Sequence, residues 1–147
     1  GAEERKEFMS DEQKFEAFKE RTVAHNEEVY GAETRAKYGD KEVDEANAAV
    51  MNLTQEQYQA WTGLGQEIQE RLEAAVQAGL SPESEEGKEI CTLHRQWLTI
   101  TGNQYDAAKH RGIAELYVKD ERFTAYYDKR IPGCARFLRD AVVHWAK

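Results

Sequence analysis

The residues best suited to hold a metal ion or a haem are the four histidines, and their spacing does not favour that role. They stand at His25, His94, His110 and His144. Metal and haem sites draw on patterns such as His-Glu-x-x-His, Cys-x-x-Cys or Cys-x-x-Cys-His, and none of these occurs. His94 and His110 are too far apart in sequence to lie on one helix face. We predict no metal site, no haem and no other cofactor.

The serines and acidic pairs offer no convincing catalytic group. Ser10, Ser81 and Ser84 stand at or near predicted helix starts, where a hydroxyl accepts a hydrogen bond from a free backbone N–H. Acid catalysis by a carboxyl group needs a raised pKa, and the Glu85-Glu86 pair lies on a predicted surface with no aromatic pocket beside it. We therefore predict that the protein is not an enzyme.

The two cysteines, Cys91 and Cys134, are far apart and typical of free thiols in a reducing compartment. Cys134 is in helical register with Phe137, which predicts a small buried apolar residue, whereas Cys91 is expected to be partly exposed. A reactive thiolate needs a nearby cation or a helix N-terminus. Cys134 lies near a predicted helix start, and Lys88 or Arg95 could serve Cys91, so thiol reactivity stays open as a secondary hypothesis.

Aromatic side chains are the most informative group in the second half of the chain. The relevant rings are Tyr58, Trp61, His94, Trp97, Tyr105, Tyr117, Phe123, Tyr126, Tyr127 and Phe137. A pocket for one bulky ligand is typically lined by rings, with a few hydroxyl or N–H groups that fix its orientation. Aromatic stripes at helical spacing more often form plain core, and His94 is typical of a core histidine with a satisfied hydrogen bond. Periodicity alone leaves both interpretations open.

The composition limits the class of partner. The 147 residues are 40% hydrophobic and carry a formal net charge of −8, with 11 Lys/Arg against 7 Asp/Glu in residues 88–147 and 9 against 21 before them. An acidic chain lacks the basic face that DNA binding needs. No stretch approaches the roughly 20 apolar residues of a membrane helix, and no signal peptide is evident. We expect a soluble, cytoplasmic protein without membrane contact.

The elements that must position these rings are all predicted to be helices. Only two prolines occur, and no alternation of Val, Ile and Thr indicates a strand. Three weakly amphipathic helices are predicted first, from Ser10 to about His25, from Glu27 to Tyr38 with Gly39 closing it, and from Lys41 to Met51. They hold little apolar surface.

The later helices have stronger apolar stripes. The first is predicted from Thr54, where Gln57 completes a capping box, to near Gly79, and the second begins at Ser81-Pro82 and ends near Thr101-Gly102. The third is predicted from Gln104 to Tyr117. A short helix follows Asp120, and the last one begins at Pro132-Gly133. Asp120 is predicted to cap a helix and Arg122 to form an ion pair.

Several segments together resemble one family. They are LYVKDERFTAYYDK at 116–129, Pro132-Gly133, FLRDA at 137–141, His94-Arg95-Gln96-Trp97 and Tyr38-Gly39-Asp40. Over roughly residues 13 to 147 the chain resembles the TipAS antibiotic-recognition domain, which forms the C-terminal half of certain MerR-type transcriptional activators. The resemblance implies a single globin-like domain of about seven or eight helices without haem. It also implies a mobile N-terminal part over about 10–52 and a packed core over about 53–147. Residues 1–9 are predicted to be a tag remnant, indicated by the leading Gly1, and the tail of a dimerising helix.

The resemblance implies that the domain senses a bulky apolar compound or thiopeptide-like antibiotic and orders its N-terminal helices on binding. The expected ligand-binding residues are Tyr58, Trp61, His94, Trp97, Tyr105, Tyr117 and Phe123. No cysteine lies between Tyr105 and Tyr117, where covalent capture is known in the family, so binding is expected to be non-covalent. DNA contact is expected only through a helix-turn-helix domain outside this sequence, with a homodimeric full-length protein and a monomeric domain. The alternative is a stand-alone resistance protein that sequesters a drug.

Overall fold

The computed structural model describes residues 10–102 and 104–147, and within them the chain forms seven helices and no strand. In chain order the helices are α1 (Asp11–Tyr38), α2 (Asp40–Met51), α3 (Gln55–Gln77), α4 (Glu85–Thr99), α5 (Ala107–Lys119), α6 (Glu121–Tyr127) and α7 (Cys134–Trp145). The all-α prediction and the expected number of helices are confirmed. The tag remnant and dimerising tail predicted for residues 1–9 lie outside the described residues. None of the described helices combines the length and apolarity needed to cross a bilayer.

The chain divides into two compact units, one ending at Tyr58 and the other beginning at Gln59. In the first unit, α1 opens with a capping box, in which the Gln13 backbone N–H donates to Ser10 Oγ and the Ser10 N–H donates to Gln13 Oε1. Gly39 ends α1 with a φ of 89°, a left-handed conformation that glycine adopts without steric cost. α2 follows directly.

The prediction of two helices between Ser10 and Tyr38 was wrong, because α1 runs unbroken through all 28 residues. The segment from His25 to Glu27 contains neither glycine nor proline, and the Glu- and Ala-rich flanks favour helix even where the apolar stripe fades. The weak apolar stripe of this segment therefore indicates that its residues are poorly buried, and it does not indicate a helix boundary. Indeed, only Lys19 and Gly31 are buried in α1, and no residue is buried in α2.

Lys19 links the two helices of the first unit. Its side chain is only 2% exposed, and Nζ donates to the carbonyl oxygens of Met51 at 2.6 Å and Leu53 at 3.1 Å. These carbonyls lie at the end of α2, where the last turn of a helix leaves its acceptors without partners. A cation there also interacts favourably with the helix dipole. Lys19 thus caps α2 from α1.

The second unit holds the main hydrophobic core. Leu72 of α3, Ile90 of α4 and Leu138 and Val142 of α7 are completely buried. α7 packs against α4 and α5, so its apolar face forms the middle of this core. The predicted capping box at the start of α3 is confirmed, since the Gln57 N–H donates to Thr54 Oγ1 and the Thr54 N–H donates to Gln57 Oε1.

Two predicted helix starts shift along the chain. Ser84, and not Ser81, caps α4, because Ser81 instead anchors a tight turn in which its carbonyl accepts from the Ser84 N–H. α5 begins at Ala107 instead of Gln104, since the Asp106 carboxylate accepts from the Lys109 N–H and so fixes the first turn.

The start of α6 agrees with the sequence. The Asp120 carboxylate accepts from the Arg122 N–H, which confirms the predicted cap. The predicted ion pair of Arg122 is also present, with its guanidinium 2.8 Å from Asp120 Oδ2.

Candidate functional site

A row of four nearly parallel rings crosses three helices of the second unit. Trp61 of α3 stacks on Trp97 of α4 with ring centroids 5.6 Å apart, and His94 of α4 follows Trp97 at 5.7 Å. His110 of α5 follows His94 at 5.0 Å, and adjacent planes differ by only 16° to 21°. We call Trp61, Trp97, His94 and His110 the ring row.

Helix geometry explains how the ring row is assembled. His94 and Trp97 are three residues apart on α4 and therefore lie on the same face of that helix. On α3, Gly65 leaves space for Trp97, because a Cβ at position 65 would already lie 3.4 Å from Trp97 Nε1. A glycine inside a helix costs stability. In return, the indole of Trp97 packs close to the α3 backbone.

A continuous hydrogen-bonded chain runs through the two histidines. Tyr117 Oη lies 3.2 Å from His94 Nε2, His94 Nδ1 lies 2.8 Å from His110 Nε2, and His110 Nδ1 lies 2.8 Å from Tyr105 Oη. Both imidazoles are about 1% exposed and Tyr117 is 4% exposed, whereas Tyr105 is half-buried. We call Tyr117, His94, His110 and Tyr105 the polar chain. It runs from the core towards the surface.

The surroundings keep both histidines neutral. Burial lowers the pKa of His94 to about 3, with a further contribution from His110. Burial also lowers the pKa of His110 to about 4, helped by the positive charges of Arg95 and Arg111. At neutral pH each ring therefore carries one N–H and one acceptor nitrogen.

Arg95 shapes the outer end of the polar chain. Its guanidinium lies 3.9 Å from the centroid of the Tyr105 ring, in cation–π contact. Burial raises the pKa of Tyr105, so that its hydroxyl stays protonated at neutral pH. The half-buried Tyr105 ring thus has a cation against it and an intact hydroxyl.

Six of the seven predicted site residues lie in one connected group of rings. Tyr117, at the inner end of the polar chain, also contacts Phe123 of α6 with centroids 5.3 Å apart. Tyr58 is the exception, because it belongs to the first unit and its ring meets Phe15 edge-on at 5.3 Å. The role of all seven in ligand binding stays a prediction.

Sequence reasoning missed His110. Its distance from His94 was tested only against the face of a single helix, whereas the two rings come from α4 and α5. The one local signal was Tyr105, which stands five residues before His110 and bonds it directly.

The expectation that Cys91 is partly exposed was wrong. Cys91 is 6% exposed and Cys134 is fully buried, because both pack into the core of the second unit. Burial raises the pKa of each thiol to about 11, and nearby arginines offset this only in part. Neither thiol is a thiolate at neutral pH, so the structure does not favour the secondary hypothesis of a reactive cysteine.

The described residues offer no cluster of side chains suited to binding a metal ion. Across residues 10–102 and 104–147, no three side chains of His, Cys, Asp or Glu come together as a metal would require. The two histidines that do meet bond each other and two tyrosines. What the group offers instead is flat apolar surface with a polar hydroxyl beside it.

Comparison with known proteins agrees with this description. The family model of the TipAS antibiotic-recognition domain matches residues 30–145. The chain is 30% identical over 138 residues to the HTH-type transcriptional activator TipA of Streptomyces coelicolor and, equally, to that of Streptomyces lividans. The match takes in 92% of this chain and 52% of each relative, so the chain spans about half the length of these curated relatives.

A solved structure matches over nearly the whole chain. It is TipAS from Streptomyces lividans in complex with nosiheptide, described as part of a thiopeptide antibiotic multidrug resistance system. The TM-score is 0.67 at 28% identity, with 94% of each chain covered. On the family match and this structural likeness, the chain belongs to the TipAS antibiotic-recognition domain family.

Proposed function

We propose that this domain recognises a bulky, largely apolar antibiotic, with thiopeptides as the first class to test, and does so without a covalent bond. The observation that carries the proposal is the ring row, in a chain similar to a TipAS domain that binds nosiheptide. Flat rings give a large apolar contact area at little conformational cost, and a few polar groups then fix the ligand's orientation.

The rings divide into an outer and an inner group. Trp61, Trp97, Tyr105 and Phe123 are half-buried and would form the contact surface. His94 and Tyr117 are buried and would support that surface from behind. Tyr58, the remaining predicted contact residue, lies in the first unit. Because a half-buried indole still exposes apolar area to water, covering it with a ligand is favourable.

Burial of the thiols supports the non-covalent part of the proposal. A cysteine attacks an electrophile as its thiolate, and both thiols here are buried with a raised pKa. Affinity would therefore come from apolar contact and hydrogen bonds alone.

We further propose that ligand binding orders the N-terminal helices. α1 and α2 bury only Lys19 and Gly31 between them, so few apolar contacts offset the entropy of holding these helices in place. A ligand that supplies apolar contacts to the ordered state would shift the population towards it.

In its regulatory setting, the domain would serve as the ligand sensor of a MerR-type transcriptional activator. The similarity to TipA supports this proposal. DNA binding and dimerisation would belong to a helix-turn-helix region outside the 147 residues, with the isolated domain a monomer. The activator would act in the cytoplasm, and antibiotic binding would change the arrangement of its DNA-binding regions.

Drug sequestration is a second candidate, because the similar TipAS structure is described as part of a resistance system. A domain that binds a drug in equal amounts lowers its free concentration without any effect on DNA. A DNA mobility-shift assay on the product of the full reading frame separates the two functions, since only a regulator forms a complex with DNA.

A fluorescence titration tests the binding itself. Nosiheptide and a panel of apolar antimicrobials are added to the domain, with the indoles of Trp61, Trp97 and Trp145 as reporters. We expect saturable quenching at micromolar concentration, and Trp61→Ala should weaken binding roughly 10-fold or more, as expected for an aromatic anchor residue. Trp145→Phe, on α7 outside the ring row, serves as the control and should bind like the parent. A flat response to every compound would mean that the rings are only core.

A further inference from the structure

The indole N–H of Trp97 is a hydrogen-bond donor that the described part of the chain does not use. No group within residues 10–102 and 104–147 accepts a hydrogen bond from Trp97 Nε1. Trp145 has the more usual arrangement for a packed indole, because its Nε1–H donates to the Pro82 carbonyl oxygen at 3.0 Å. Trp97 is half-buried, and water reaches its Nε1. The ring row therefore offers an N–H to whatever molecule covers it.

The side chain that would cover this donor is missing at Gly65. A Cβ at position 65 would lie 3.4 Å from Trp97 Nε1 and 3.9 Å from Trp97 Cδ1, so the N–H edge of the indole faces that position. Beyond the sequence neighbours of Gly65, no other described side chain lies within 4 Å of it. Gly65 is itself half-buried. We call the open space beside Trp97 Nε1 the Gly65 gap.

The Gly65 gap adjoins the proposed contact surface. Trp61 and Gly65 are four residues apart on α3 and therefore lie on one face of that helix. The Trp61 ring in turn stacks on Trp97 with centroids 5.6 Å apart. A flat molecule that covers these two indoles would therefore bring its own atoms next to the gap.

We propose that Gly65 is a specificity-determining residue, because it keeps the Trp97 N–H open to a hydrogen-bond acceptor on the ligand. On the proposed function, from which this follows, the ligand then carries a carbonyl oxygen or an unprotonated ring nitrogen at the edge of its apolar part. An acceptor lies about 2.9 Å from the nitrogen of an N–H donor. A methyl group on residue 65 would compete for the same space. A thiopeptide, as a peptide, has carbonyl oxygens of this kind.

A single methyl group tests the gap, with nosiheptide as the probe. Gly65→Ala leaves all three tryptophans in place as fluorescence reporters, and its methyl group would meet Trp97 at an ordinary van der Waals distance. We expect the Kd to rise roughly 3- to 10-fold, the effect of losing one neutral hydrogen bond. The Tm should rise by roughly 2 to 4 °C, because alanine favours helix. Weaker binding by a more stable variant separates a ligand contact from damage to the fold.

Gly63→Ala is the matched control. Position 63 is two residues from position 65 on the same helix, so the two Cβ atoms point to different faces, and nothing lies within 4 Å of a Cβ at position 63. Gly63→Ala should raise the Tm in the same way and bind nosiheptide like the parent. Equal Kd values for the parent, Gly63→Ala and Gly65→Ala would overturn the proposal.

The hydrogen bond can also be observed on Trp97 directly. ¹H–¹⁵N spectra of the ¹⁵N-tryptophan-labelled domain contain one indole signal each for Trp61, Trp97 and Trp145, and Trp97→Phe assigns the middle one. At saturation with nosiheptide, we expect the Trp97 N–H proton to shift downfield and to exchange more slowly with water. The Trp145 N–H, already bonded to a carbonyl, should keep its signal. Saturated Gly65→Ala should lack the downfield shift of Trp97.

The outcomes distinguish this contact from the proposed function. If nosiheptide binds the parent but the Trp97 N–H neither shifts nor slows its exchange, the proposed function stands and the role of Gly65 is refuted. If nosiheptide does not bind the parent, the proposed recognition of thiopeptides fails together with the contact.

Discussion

His94 Nδ1 lies 2.8 Å from His110 Nε2, although the two histidines are 16 residues apart and come from different helices. The two rings meet edge to edge with their planes only 16° apart, and each is bonded to a tyrosine on its far side. This arrangement stabilises the neutral form of both imidazoles, because a charge on either ring would be buried without a counterion.

Stability should therefore fall as the solution becomes mildly acidic. The pKa values of His94 and His110 are lowered to about 3 and about 4, against about 6.5 when unfolded, so below pH 6.5 the unfolded state binds more protons. The contribution to stability is complete above pH 6.5 and is lost as the pH falls towards 4. Between pH 7 and 5 we expect a loss of up to about 2 kcal/mol for each histidine.

Urea denaturation at several pH values between 7 and 5 measures this effect. His94→Gln should reduce the slope of unfolding free energy against pH by about half, since one of two coupled groups is removed. His25→Gln, at an exposed position outside the pair, should retain the parent slope. A parent protein equally stable at pH 7 and pH 5 would contradict the prediction.

The thiols should resist alkylation in the folded protein. Cys91 and Cys134 are buried, and burial raises the pKa of each to about 11, so access and thiolate are both lacking at pH 7.5. Mass spectrometry after iodoacetamide treatment should find both cysteines unmodified in buffer and both alkylated in urea. Rapid native alkylation of Cys91 would show that its surroundings open readily.

Lys19 should contribute more to the stability of the first unit than a lysine of an acidic surface helix usually does. Lys19→Met keeps the length of the side chain but leaves the Met51 and Leu53 carbonyls without their donor, at a cost of about 1–3 kcal/mol. Hydrogen exchange should report the loss as faster exchange over residues 40–53. Lys14→Met, on an exposed position of α1, is the control. Equal exchange in the two variants would argue against the capping role.

Two glycines should respond to alanine in opposite directions. A Cβ at Gly87 would lie 1.9 Å from the Pro82 carbonyl oxygen, which also accepts a hydrogen bond from Trp145 Nε1. Gly87→Ala should therefore destabilise by about 1–3 kcal/mol or more. Gly63 lies within α3 with nothing near its Cβ position, so Gly63→Ala should stabilise by about 0.5–1 kcal/mol. Thermal unfolding of both variants, followed by circular dichroism, checks the signs, and a more stable Gly87→Ala would refute the first.

Much of the local structure could be predicted from the sequence. The Thr54–Gln57 capping box, the end of α1 at Gly39 and the cap at Asp120 each depend on hydrogen bonds between residues a few positions apart. The all-helical class follows from helix propensity and apolar period in the same way. The continuous α1 was missed because its faded stripe reflects burial, which is a tertiary property, and not a break in helix propensity.

The sequence by itself determined the helices and a set of rings that includes six members of the connected group. Only the tertiary structure decided which rings meet, because contacts between α3, α4 and α5 depend on how three helices pack. The tertiary structure added His110 to the connected group of rings, placed Tyr58 in the other unit and buried Cys91. Hydrogen bonds between residues a few positions apart depend only on the local sequence. Burial and contacts between distant side chains are decided only when apolar surfaces of several helices pack against one another.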